Sequence, residues 1–223
     1  MYPVTYAAEN PGPGRNRLTV FFRYIVAIPW LIVGGIYGFV AGLAAIGAWF
    51  SIVFTGRYPE GLYNFVAGYI RFLGRFYGYL YLMTDEYPPF NGEVDDSYPV
   101  RVGTPAALAE YDRLKTGLRL IFGIPVFLLS YVQALIAEVV ALIGWFAILF
   151  TGTLSDGYYN PIRSAVAYQT RAAAYFLLVT EDWPPFSLEE GEGAGAGQLP
   201  PTPPAVPPLS EESGSTPSQE SGG

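Results

Sequence analysis

The chain has 223 residues, a net charge of −7, 51% hydrophobic and 17% aromatic residues, and a mean hydropathy of +0.28. It contains neither cysteine nor histidine, which excludes disulfides, thiol nucleophiles, imidazole acid–base catalysis and zinc sites built on those residues. Its acidic balance gathers at the C-terminal end, in Glu189, Glu190, Glu192, Glu211, Glu212 and Glu220, and so carries little information about a site.

From the N-terminus, residues 1–17 form a polar lead-in with a breaker cluster at Asn10-Pro11-Gly12-Pro13-Gly14. Residues 18–28 are apolar apart from Arg23 and follow Arg15 and Arg17; this pattern predicts a short interfacial entry helix whose Arg stems reach for headgroups. Pro29 suits the first turn of a helix. Residues 30–54 carry no charge and, as a helix, reach roughly 37 Å, enough to cross a hydrocarbon core of about 30 Å. A turn over Thr55-Gly56-Arg57-Tyr58-Pro59-Glu60-Gly61 leads into an aromatic-rich helix over 62–84 that bears Arg71 and Arg75. Asp85-Glu86 reads as a solvated helix exit, and Asn91 to Ser97 as a polar linker.

The plan then repeats without a gap. Tyr2-Pro3-Val4 recurs as Tyr98-Pro99-Val100, Ile28-Pro29 as Ile124-Pro125 and Phe54-Thr55-Gly56 as Phe150-Thr151-Gly152, all at an offset of 96. The expected organisation is a first membrane hairpin over 1–90, a linker over 91–97, a second hairpin over 98–188 and a disordered Pro/Gly/Ser/Glu-rich tail over 189–223. The fold class is all-α: two repeated transmembrane helical hairpins with short interfacial entry helices. Basic residues precede both long helices, so the positive-inside rule predicts two parallel hairpins, four crossings and both termini in the cytoplasm.

Candidate functional residues lie on helix faces. Gly34, Gly38 and Gly42 share one face of the first long helix, and Ser130, Ala134 and Glu138 hold those places in the second, a small-residue stripe suited to close helix packing. Asn64 and Asn160 occupy matching polar places on the returning helices, whose aromatic face of Phe65, Tyr69, Phe72 and Phe76 suits lipid. Glu138 and Arg171 fall at similar depths, about 18 and 20 Å from their turn. This depth match predicts an ion pair, with Arg75 the same place one repeat earlier. With Arg71 and Arg163, these residues make an intramembrane charge cluster with a cationic excess, which points equally to an anionic headgroup or solute and to returning helices that lie shallow, with their Arg side chains snorkelling to water. Pro200 to Pro208 is a polyproline-type stretch within the tail. No nucleotide loop, metal-ligand set or other cofactor motif is present, and nothing points to nucleic acid.

Ile28-Pro29, the Phe-Thr-Gly-Arg-Tyr-Pro-x-Gly turn over 54–61 and the Thr-Asp-x-Tyr-Pro-Pro-Phe exit over 84–90 together resemble a bacterial membrane family known as domain of unknown function 4389. The likeness is looser over 98–188, where Thr153-Leu154-Ser155-Asp156 replaces Arg57-Tyr58-Pro59-Glu60. The resemblance implies a multi-pass bacterial inner-membrane protein and brings no activity with it. The expected function is a non-enzymatic structural or accessory subunit binding a partner protein, a second copy of itself or an anionic lipid. The alternative is a small carrier or channel for an anionic lipid or solute, using Arg75, Arg171 and Glu138.

Overall fold

A computed structural model describes residues 2–185. The expected tail over 189–223 lies outside the described residues. In chain order the elements are β1 (Thr5–Ala8), α1 (Arg17–Phe21), α2 (Arg23–Val26), α3 (Ile28–Thr55), α4 (Glu60–Leu80), β2 (Val100–Gly103), α5 (Arg113–Gly117), α6 (Arg119–Phe122), α7 (Ile124–Thr151) and α8 (Asp156–Phe176).

The local signals behind these elements come in matched pairs. Asn16 caps α1 by accepting the N–H groups of Leu18 and Thr19, and Asp112 caps α5 by accepting those of Leu114 and Lys115. Pro29 and Pro125 occupy the first turn of α3 and α7, where a missing N–H costs nothing. Gly56 and Gly152 end those helices at φ 75°, a left-handed conformation that glycine adopts without strain. Leu82 and Leu178 take the same conformation after α4 and α8, at φ 67° and 66°. There the Met83 and Val179 N–H groups close the helix ends on the carbonyls of Gly78 and Ala174.

Two features differ from the sequence-based expectation. The lead-in and the start of the second repeat are not irregular; β1 and β2 pair antiparallel, with Tyr6 opposite Val102. Those two residues are one repeat apart, so a pseudo-twofold axis passes between them. Val4, Tyr6 and Ala8 alternate inward and meet Val100 and Val102 in the main core. Four residues of alternation are too few to signal a strand until the two copies lie side by side.

The hairpins are also not parallel. The Arg15 N–H donates to Gly152 O at 3.0 Å, and the Trp145 indole donates to Val20 O at 2.9 Å. The entry of the first repeat therefore sits on the far end of α7. The converse holds one repeat away, where the Tyr111 N–H donates to Gly56 O and the Trp49 indole to Thr116 O. Thus α3 begins where α7 ends, and the two repeats interlock head to tail.

Between the long helices, α4 and α8 pack on each other and on the strands. A Cβ at Gly74 would stand 2.6 Å from Val102 and 3.2 Å from Thr170, and one at Gly78 would stand 2.8 Å from Val100. The small face of α4 therefore serves the strands and the other repeat. Its aromatic face is not turned to lipid as expected: Phe72 and Phe76 are buried, with Phe72 lying over Gly34 and Tyr69 over Gly38. The glycine stripe of α3 makes room for those rings.

Candidate functional site

Seven arginines decide the interior. Arg15, Arg23, Arg75, Arg119 and Arg171 are all buried, Arg23 completely, while Arg71 and Arg163 are half-buried. A guanidinium removed from water needs its N–H groups satisfied. Here most of the acceptors are backbone carbonyls at element ends.

Arg23 donates to the Tyr79 carbonyl, to Thr84 O at 2.8 Å and to Asp85 Oδ1 at 2.5 Å, and stacks on the Tyr79 ring. Arg15 grips the same carboxylate with two bonds, at 2.8 and 2.7 Å, and also donates to Leu82 O. Asp85 thus holds two buried cations and pins the α4 exit to the chain entry. Burial pushes the Asp85 carboxyl up, but the Arg15 bonds and the charges of Arg15 and Arg23 outweigh it and leave it below its ordinary value. A depressed folded-state value stabilises the fold above the unfolded-state value near 3.8, and that stabilisation is lost as pH falls through the folded one. Thermal melts should be insensitive to this group from about pH 5 upward and fall below about pH 4; the Asp85→Asn variant should lack that step.

Local pattern predicts a solvated end charge at Asp85 and headgroup anchors at Arg15 and Arg23; all three instead form one partly or wholly buried cluster. One signal was available. Arg23 recurs as Arg119 at the repeat offset, and a charge copied inside an apolar stretch points inward as readily as outward.

Arg119 repeats the grip without the acid. It donates to Tyr175 O at 2.6 Å and Thr180 O at 2.7 Å and stacks on the Tyr175 ring at 4.3 Å. Glu181 stands where Asp85 stands in the first repeat, but its Oε1 accepts the Asp112 N–H. Burial lowers the pKa of both Arg23 and Arg119 below the ordinary arginine value, and the Asp85 charge opposes this at Arg23.

The predicted cluster is dispersed. Arg75 donates to Glu93 O at 2.6 Å, and Arg71 donates to Gly92 O and to Thr104 Oγ1, both at 2.6 Å, so both hold the inter-repeat linker on α4. Arg171 is 1% exposed, donates to Val4 O and lies over the Tyr2 ring. Glu138 is exposed on α7. The predicted Glu138–Arg171 pair therefore does not form; the strand entering at Val4 takes the guanidinium. Arg163 lies half-buried on α8 beside Tyr159. Asn64 and Asn160 are exposed. Gly34 and Gly38 are packing positions, whereas nothing lies within 4 Å of a Cβ at Gly42. Ser130 donates to Val126 O within its own helix, and Ala134 is half-buried on the same α7 face.

Among the described residues α3 and α7, at 28 residues each, are the two helices long and apolar enough to cross a membrane. Only 17% and 22% of their most apolar stretches are buried, which is unlike the core helix of a soluble protein. Their outer faces expose Ile32, Ile36, Phe39, Leu43, Ile46 and Phe50, and Leu128, Tyr131, Leu135, Val139, Leu142 and Phe146. The returning helices α4 and α8 do not pass that test, so four apolar crossings reduce to two candidates.

A family model described as domain of unknown function DUF4389 matches residues 17–91 and again 113–187. The chain belongs to this family. It carries the DUF4389 unit twice, and each unit runs from an entry helix to a Pro-Pro exit. Comparison with curated proteins and with solved structures returns no match. Residues 2–16 and 92–112, which hold both strands, lie outside the two matched DUF4389 segments.

Proposed function

We propose that this protein is a non-enzymatic structural or accessory component of the bacterial inner membrane, embedded through α3 and α7 and binding lipid and a partner protein or second copy there. The observation that carries this reading is the apolar outer face running the length of both helices. Arg75 and Arg171 support it too. Both are buried and held to carbonyls of the linker and of the chain entry, which suits a locked scaffold better than a carrier that must present them to a solute. The Tyr2 hydroxyl donates to Asp182 O at 3.2 Å, which supports the chain entry and the exit of the second repeat on one side.

Single cysteines, introduced into this cysteine-free chain, test the reading. At Phe39, Ile46, Leu135 and Leu142 they should resist aqueous maleimide in intact membranes, and at Val94 and Asp96 they should label readily. Ready labelling of all six positions would sink the membrane assignment. Liposomes carrying the protein should show no anion flux, and flux abolished by Arg75→Ala would instead establish the carrier.

A further inference from the structure

The strongest unassigned feature is a cavity of about 350 Å³ in the second repeat, between α6, the end of α8 and the chain beyond it. It lies within the size range of small-ligand sites. Arg119 lines it at 4% exposure, and its buried Nε has no hydrogen-bond partner among the described residues. Lys115 adds a second cation, Glu181 and Asp182 add carboxylates, and Trp183 stands at the rim, 46% exposed.

The matching place in the first repeat is built differently. There Asp85 neutralises the matching Arg23, and Tyr87, which stands where Trp183 stands in the second repeat, stacks on Trp30 at 5.3 Å. In the second repeat Val126 takes the place of Trp30 and Tyr111 that of Arg15. Glu181 is turned to the Asp112 N–H. Arg119 lines the cavity with no described carboxylate in an ion pair with it. Leu120, Ile121, Ile124 and Phe127 are all more than half exposed next to the cavity.

We propose that this cavity binds the headgroup of an amine-bearing phospholipid. Arg119 and Lys115 take the phosphate, as cations take phosphate oxygens elsewhere. The ammonium goes to Asp182 and Glu181 and to the face of Trp183. The acyl chains leave over the apolar residues of α6 and the start of α7. The paired signs favour a zwitterion over a purely anionic lipid, since two carboxylates at the rim would repel the latter. The inference rests on α3 and α7 facing lipid.

The test is native mass spectrometry of the full chain in detergent, with phosphatidylethanolamine, phosphatidylglycerol and phosphatidylcholine of matched chains. One phosphatidylethanolamine per chain should be retained at least tenfold over either competitor. Lys115→Gln, at a side chain 64% exposed, should weaken retention about tenfold. Asp182→Asn should erase the preference over phosphatidylglycerol. Both variants alter exposed side chains and should fold and stay in the membrane fraction, so a failed membrane assignment is recognised separately. Equal retention of the three lipids, or retention unmoved by both variants, overturns the proposal. Displacement by soluble phosphoethanolamine at equal concentration would mean a free solute site instead, and also overturns it.

Discussion

Asp85→Asn should lower stability by about 3 kcal/mol, because it removes the charge that two buried arginines share. Arg15 and Arg23 cannot lose their protons to compensate, and their side chains are 2% and 0% exposed. The Asn oxygen can replace one acceptor but not the charge or the bidentate grip. In a domain of this size the melting temperature should fall by roughly 6–12 °C. Glu181→Gln is the matched control one repeat away. Glu181 accepts a backbone N–H and makes no ion pair with Arg119, so its loss should cost under about 1 kcal/mol. Equal shifts for the two variants would refute the asymmetry between the repeats.

The second large effect is expected at Gly92. A Cβ there would lie 2.3 Å from Gly68 O and 2.4 Å from Gly68 C. These are backbone atoms of α4 that no rotamer change can move, so Gly92→Ala must lift the linker off the helix. The lift would stretch the bonds from Arg71 to Gly92 O and from Arg75 to Glu93 O. Their loss would strand two arginines together, at an overall cost of about 3 kcal/mol. Gly42→Ala is the contrast. Helical spacing singles out Gly42 for close packing, yet nothing approaches its Cβ position. That variant should be neutral, or up to about 1 kcal/mol more stable through helix propensity. Proteolysis within 91–97 gives an independent readout, and faster cleavage is expected only for the Gly92 variant.

The two copies, the first-turn prolines and the uncharged stretches of α3 and α7 were legible in the chain alone, because each rests on local pattern or on composition. The direction of the second repeat was not. The basic residues before both long helices predict two flanks on the cytoplasmic side, but Arg15 and Arg23 of the first repeat and Arg119 of the second are inside the fold, where the positive-inside rule has no hold on them. Only the packed structure could decide this. An arginine in an apolar stretch can reach headgroups or backbone carbonyls, and the choice depends on whether free carbonyls lie within reach.

The strands and the Glu138–Arg171 pair were lost for a related reason. Depth along two helices places residues at one level but says nothing of a third segment. Here the chain entry at Val4 and Tyr2 takes Arg171 and leaves Glu138 exposed. Likewise Glu181 in the place of Asp85 reads as one carboxylate for another, and only the structure shows that it accepts the Asp112 N–H and makes no ion pair with Arg119. Sequence by itself determined that this is a duplicated helical chain with two lipid-compatible helices. Tertiary structure alone decided how the copies interlock and where the charges go, because both depend on contacts between separate segments, from Arg75 and Glu93 at 18 positions apart to Arg171 and Val4 at 167.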